Sequence, residues 1–452
     1  MNSRNKSMLE GPLFVNIIFY TVPIILTSVL QLLFNAADLV IVGRFCGSLS
    51  VAAVGATTYL TNLLVNFFVG LSVGAGVTVA HGIGSRNVEE IHRTVHAALP
   101  MALVSGAILT VVGLTCSETF LKMMDTPASV LPLSSVYMKI CFGGVTFTVV
   151  YNFCAAILRA AGDTRSPLVY LTFSGVVNVV LNLIFVTVLH MNVAGVALAT
   201  TISQGISAVL VVWALIQRTD ECHLELKQMR FHKLQLSKMI RIGLPAGIQS
   251  SLFSISNVLI QSSVNSFGDV FMSGNAAAAN IEGFVYVSLN AYHQTAVNYI
   301  GQNAGAKQYK RVYRTLWICL GCATVTGLAL GSLGYTFGES LLSLYITDSA
   351  EAISYGMMRL SFICLPYFIC GLMDVSTGAL RGMGASFIPM LISVLGVCGI
   401  RIGWIYTIFQ IPQFHTPQCL YFSYPVSWTI TFLCQMVAFV VVYKKHTKLY
   451  RE

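Results

Sequence analysis

The chain has 452 residues and a formal net charge of +9, yet charged residues make up only 10% of it and apolar residues 56%. A soluble domain carries about 25% charged residues. This composition therefore excludes a string of soluble domains, and the scatter of its basic residues excludes a nucleic-acid-binding face; the excess hydrocarbon has to meet lipid.

Twelve apolar segments are each long enough to cross a hydrocarbon core of ~30 Å. They are predicted as helices at 14–43, 51–80, 94–116, 132–158, 167–189, 193–217, 241–267, 274–301, 315–338, 352–380, 388–411 and 420–443. The first is too long for the apolar core of a signal peptide, lacks a small-x-small cleavage site, and contains Pro23 and Asp38. It is expected to stay as a transmembrane helix.

Residues 15–219 and 237–441 follow one plan at an offset of about 222. Pro23 answers Pro245, Asn35 answers Asn257, and Gly84-Ser-Arg86 answers Gly305-Ala-Lys307. Leu158-Arg159-Ala-Ala-Gly162 answers Leu380-Arg381-Gly-Met-Gly384, and Pro167 answers Pro389. Duplicated membrane bundles are a common plan of secondary transporters. The expected fold class is an all-α polytopic membrane protein of two pseudo-symmetric six-helix bundles. The expected organisation is an N-lobe at 1–217, an inter-lobe linker at 218–240, a C-lobe at 241–443 and a basic tail at 444–452.

With the N-terminus inside, 21 of the 26 Lys and Arg fall in the inner segments; the other five are Arg44, Lys122, Lys139, Arg359 and Arg401. That asymmetry predicts both termini on the cytoplasmic side of a plasma membrane and an even number of helices. Leu224, Leu226, Met229, Leu234 and Leu236 give the 218–240 segment an amphipathic pattern, readable as a helix along the membrane surface or as a plain connection. The twelve cysteines are scattered through apolar runs, and Cys319-x-x-Cys322 lies mid-helix, where packing explains it. No structural metal, cofactor or nucleic-acid partner is expected.

Three acids lie well inside predicted spans: Asp38, Glu282 and Asp374. An ionised group there is expensive and is by default a functional candidate. Asp38, Asn35, Gln31 and Thr27 fall within about 80° of one another on a helix of 3.6 residues per turn. The fifth predicted helix carries Ser174, Asn178 and Asn182 at steps of four, and the sixth carries Thr200 and Thr201. One carboxylate among neutral amide and hydroxyl oxygens suits a bound Na⁺ or a shared proton. The seventh helix repeats the stripe as Ser250, Ser254, Asn257 and Gln261, without an acid. Glu282, Tyr286 and His293 share a face of the eighth, but the first and last are ~16 Å apart at 1.5 Å per residue. His293 reads as a packing residue and Arg401 as a structural counter-ion.

The run Pro23…Gln31…Asn35-Ala-Ala-Asp38…Gly43, with Ala52-Ala-Val-Gly55, Gly301-Gln302-Asn303-Ala-Gly305-Ala306 and the paired Leu-Arg loops, resembles the multidrug and toxic compound extrusion (MATE) family over essentially the whole chain. The resemblance implies a cation-coupled antiporter, not an enzyme, that exports small organic and often cationic compounds by alternating access of two lobes. It also implies an N-lobe cation site at Asp38, Asn178, Asn182 and Thr200, with Asn35 of the same helix 1 stripe as a further cation-coupling candidate. Many members have a second acid where this chain has Asn182, so H⁺ is favoured over Na⁺ as the coupling ion; a Na⁺ would sit at Asp38, Asn178 and Thr200. Gln31, Asn257, Gln261, Glu282, Tyr286 and Asp374 are candidates for substrate or coupling roles. A functional monomer in the bilayer is expected, since one chain holds both lobes. The alternative is a flippase for a lipid-linked sugar, which the scarcity of Lys and Arg inside the spans disfavours.

Overall fold

A lipid-embedded backbone must satisfy its own hydrogen bonds, and long apolar runs do so as helices. The computed structural model describes residues 8–124, 126–346 and 349–448. Arg4, Lys6, Arg451 and the end of the 444–452 tail lie outside them. The first repeat forms α1 (Leu13–Phe45), α2 (Ser48–Ser85), α3 (Val88–Met123), α4 (Leu131–Ala160), α5 (Arg165–Leu183, running on into a π turn at Ile184–Val188) and α6 (Asn192–Ile216). The second forms α7 (Lys233–Asn265), α8 (Asp269–Gly305), α9 (Tyr309–Thr336), α10, α11 (Phe387–Gln410, with a π turn at Val394–Gly399) and α12 (Pro417–Lys448). α10 is a bent pair, Ala350–Cys364 and Tyr367–Gly382, meeting at 41°.

Among the described residues, nine helices are long and apolar enough to span a membrane, and the bent α10 makes a tenth. α7 and α8, at 33 and 37 residues, are also long enough but carry more polar side chains. Each of the twelve predicted segments is therefore helical.

The duplication extends to the backbone. Gly47 and Gly268, each preceding the second helix of its repeat, both have positive φ, as do Gly162 and Gly384. Arg86 and Lys307, which are not glycine, are both left-handed at φ 54° and 59°. These pairs stand 221 or 222 residues apart, so the same turns have been built twice.

By contact the chain separates into two compact units. One holds Leu26–Ser251; the other holds Met8–Ile25 and the chain from Leu252 onward. The division thus falls within α1 and α7, whereas the sequence repeat divides at the 218–240 connection. The first unit is built on a core that includes Leu71, Val95, Phe142, Phe153 and Val211. Within it, the first half of α7 lies hard against α2. A Cβ on Gly74 would stand 2.0 Å from the Met239 carbonyl oxygen, and one on Gly247 would stand 2.3 Å from that of Phe67. Close approach through small residues is how apolar helices gain packing where no hydrophobic drive acts between them. The second unit repeats the device with α1 and α8: Thr21 and Thr295 share a hydrogen bond of 2.8 Å, and the rings of Tyr20 and Tyr299 meet edge-on at 5.3 Å. Each repeat thus lends the first half of its first helix to the other repeat's second helix.

The 218–240 connection is not a surface helix. Its one regular element before α7 is a 3₁₀ turn at Leu226–Gln228. The reason is local: Arg218 grips the Asp220 carboxylate from Nε at 2.8 Å and from Nη2, and Asp220 Oδ1 accepts the Cys222 N–H. These bonds turn the chain so that Cys222 and Leu224 drop into the first unit's core.

Replacing Gly74 by Val should force α2 from α7, lowering stability by about 1–3 kcal/mol. A thermal-unfolding midpoint in detergent equal to that of the native protein would show that this contact is not tight.

Candidate coupling site

The first unit places Asp38 where α1, α5 and α6 meet. Gly175 on α5 makes this possible: a Cβ there would stand 1.9 Å from the Phe34 ring, so only hydrogen lets Phe34 seat. Asp38 follows Phe34 by one helical turn, and Asn178 and Asn182 follow Gly175 by one and two turns. Asn182 Nδ2 donates to Asp38 Oδ1, and Thr200 Oγ1 donates to Oδ2 at 3.3 Å. The same Asn182 nitrogen donates to Asn178 Oδ1 at 3.0 Å, and Asn178 Nδ2 donates to Thr200 Oγ1 at 3.3 Å. Four of the five cation-coupling candidates therefore form one closed cluster, and Asn35 is not part of it. Asn178 and Asn182 are buried, and Asp38 and Thr200 are half-buried.

Both carboxylate oxygens accept from neutral donors. Among the described residues no Lys or Arg lies within ion-pair distance of Asp38. Asn182 is fully buried, and its Oδ1 has no hydrogen-bond partner among the described residues. α5 passes into its π turn just after Asn182; such turns often mark functional positions. Asn35 and Gln31 are exposed on α1 and do not join the cluster.

The acids of the second unit have different surroundings. Glu282 is buried and held by Arg359 in a two-pronged ion pair, Nε to Oε1 at 3.0 Å and Nη2 to Oε2 at 2.8 Å. Arg359 also donates to Asn275 Oδ1 at 2.7 Å, which accepts from the Tyr421 hydroxyl at 2.9 Å. Asp374 is buried on α10, hydrogen-bonded to the Asn290 side chain and within the field of Arg381. His293 packs on the same segment, its Nδ1 2.7 Å from the Asp374 carbonyl oxygen. Tyr286 is half-exposed and lies edge-on to Tyr367 at 6.4 Å. Asn257 is exposed, and Gln261 donates to Asn265 at 2.9 Å. Arg401 donates to Ser427 Oγ at 2.9 Å and lies 4.0 Å from the Tyr424 ring centroid; among the described residues no carboxylate pairs with it, so it is not the counter-ion expected.

Arg359, Arg381 and Arg401 are all buried, so the second unit holds more interior positive charge than the sequence reading allowed. Arg359 is the residue that reading missed as Glu282's partner. Its signal was present: it lies within the predicted 352–380 span, and a basic residue in an apolar run calls for an acid in the same bundle.

A duplicated helical bundle with a carboxylate held among neutral amide and hydroxyl donors is an arrangement that a membrane transporter can use. The sequence model of the MatE family matches residues 23–184 and again residues 245–407, beginning at the two prolines that the repeat pairs. The chain belongs to this family, the multidrug and toxic compound extrusion transporters, as a multi-pass membrane protein. It is 27% identical over 395 residues to the probable multidrug resistance protein YpnP of Bacillus subtilis, with 87% of each chain covered. It is 20% identical over 445 residues to the multidrug export protein MepA of Staphylococcus aureus, covering 97% of this chain and 96% of that one. Among solved structures, the outward-facing conformation of a multidrug resistance MATE family transporter matches with a TM-score of 0.90 at 19% identity, over 100% of both chains.

Arg359→Met would strand Glu282 without a partner and should cost about 3–5 kcal/mol of stability. Adding Glu282→Gln should restore much of that loss. A single variant as stable as the native protein in thermal unfolding would rule out a structural pair.

Proposed function

We propose that this protein is a secondary antiporter that exports small organic, often cationic, molecules in exchange for inward H⁺, with Asp38 as the coupling group. The observation that carries the reading is the environment of Asp38: a carboxylate whose nearest partners are neutral donors and whose charge no cation offsets. Such a group is poised to be neutralised by an ion taken from one side of the membrane and released to the other.

The donor set favours the proton. The Asn182 amide and the Thr200 hydroxyl direct hydrogens at the two oxygens, whereas Na⁺ needs lone pairs. Asn178 Oδ1 already accepts from Asn182. A site with one acid also carries one negative charge, which a single proton removes. Protonated Asp38 becomes a donor, and a flip of the Asn182 amide would present Oδ1 to accept it. The cluster then has two hydrogen-bond arrangements, one for each charge state, and the exchange of one for the other loosens α1 from α5 and α6.

In this cycle Asp38 is ionised and retains substrate while open to the cytoplasm. Protonation from outside releases the substrate, and the proton leaves inward. With a neutral substrate, the inward charge draws ~2.3 kcal/mol per 100 mV from the membrane potential; with a monovalent cation the exchange is electroneutral and the pH gradient drives it. Glu282 is unsuited to the same task, because Arg359 occupies both its oxygens; Asp374 remains a second coupling candidate. The protein acts as a monomer in the bacterial plasma membrane with both termini cytoplasmic, and the basic residues of the inner loops support that orientation. A lipid-linked-sugar flippase is the second reading, kept by the three buried arginines of the second unit.

The test is ethidium efflux from proteoliposomes under an imposed pH or Na⁺ gradient. The native protein should respond to the pH gradient, and Asp38→Asn should reduce coupled efflux by about tenfold or more. Undiminished efflux in Asp38→Asn would move coupling to Asp374. Absence of cation efflux under either gradient would favour the flippase.

Asn182→Asp supplies a second carboxylate beside the first. Its efflux should become stimulated by Na⁺, read as a rise in rate with added Na⁺ at fixed pH. A Na⁺ response already present in the native protein would overturn the preference for H⁺.

A further inference from the structure

The connection between α6 and α7 helps form a pocket whose lining shares no residue with the Asp38 cluster. It has a volume of about 710 Å³ and lies between the start of α3 and residues 227–232. His92, Arg93 and His96 line it from α3, and Lys227, Arg230 and His232 line it from the connection. The one acid in its lining, Glu89, is already paired with Arg93.

The pocket is built rather than incidental. His96 is 1% exposed and bonds at both nitrogens: Nδ1 meets the His92 carbonyl oxygen at 2.7 Å, and Nε2 accepts the Glu225 N–H at 3.0 Å. The His92 ring stacks on it at 4.0 Å. Lys238 pairs with Glu90 and ties the start of α7 to the same end of α3. The positive field is visible in His232, whose pKa is held below its ordinary value by burial and then by Arg230, Arg93 and His92.

Apolar residues alternate with the basic ones. Leu226, Phe231 and Leu234 are exposed, interleaved with Lys227, Arg230 and Lys233. Exposed apolar side chains among cations are the pattern of a segment lying at the boundary of headgroups and acyl chains. Guanidinium groups present a fork that fits phosphate oxygens, and imidazole N–H groups add donors.

We propose that this pocket binds the phosphate headgroup of an anionic phospholipid in the cytoplasmic leaflet. Lys227 and Arg230 neutralise the phosphate, the edge of Arg93 that Glu89 leaves open adds N–H donors, His92 and His232 line its flanks, and Leu226 and Phe231 lie with the acyl chains. The lipid would brace the connection against α3. The assignment to the cytoplasmic leaflet rests on the orientation given under the proposed function; the binding itself does not.

Native mass spectrometry of the full chain in neutral detergent tests this without reference to transport. The probes are phosphatidylglycerol, phosphatidylcholine and free glycerol phosphate. Phosphatidylglycerol should be retained about tenfold more tightly than phosphatidylcholine. Each of Lys227→Gln and Arg230→Gln should weaken it about fivefold, and the two together about 30-fold. Lys227→Arg with Arg230→Lys should retain it, which separates charge from folding. Equal retention of the two lipids, or a double Gln variant that binds as the native protein does, overturns the proposal. Glycerol phosphate binding as tightly as the lipid overturns the lipid assignment in favour of a soluble phosphate ester.

Discussion

The cost of placing a charge in a low-dielectric interior organises this molecule. Each buried ionisable side chain is met in a different way, and the way decides what it can do. Glu282 is met by a full guanidinium, which neutralises it and fixes it in place. Arg401 is met by the Tyr424 ring, which offsets part of its charge without a carboxylate. Among the described residues Asp38 is hydrogen-bonded by neutral amide and hydroxyl donors, which hold it without cancelling it. Of the two acids, only Asp38 can exchange its charge without breaking an ion pair.

The same economy shapes the backbone. Inside a bilayer there is little hydrophobic drive to pull one helix against another, so contacts depend on how closely the backbones approach. The glycines of α2 and of the first half of α7 bring those helices close enough for main-chain contact. α1 and α8 repeat the arrangement with Thr21, Thr295 and two tyrosines. As a result each compact unit contains the beginning of a helix whose remainder belongs to the other. Asp38 lies on the part of α1 that belongs to the first unit, beyond the point where that helix changes partners.

The two repeats share turns, helix order and glycine positions, yet diverge in chemistry. The first sets Asp38 among two amides and a hydroxyl; the second buries Glu282 and Asp374 with three arginines. π turns fall beside Asn182, Arg359 and Arg401, so a one-residue irregularity has been used repeatedly to re-aim a helix next to a polar side chain.

The sequence by itself determined the fold class, the twelve segments and the duplication, because lipid imposes length and apolarity on every span and the repeat is written in prolines and glycines. It also put Asp38 on a polar stripe of α1 and Asn178 and Asn182 on one face of α5, since helical steps fix a common face whatever the neighbours are; that these residues and Thr200 belong together was implied only by the family resemblance, and packing brings them into contact. It could not determine what Glu282 faces, because the partner Arg359 lies 77 positions away and only packing brings the two together. Nor could it tell that the amphipathic 218–240 connection folds as a turn, since that depends on the Arg218–Asp220 pair and on the core that receives Leu224. The exchange of half-helices is likewise a property of tertiary structure. Periodicity assigns a residue to a face, but only the neighbouring backbone decides what that face meets.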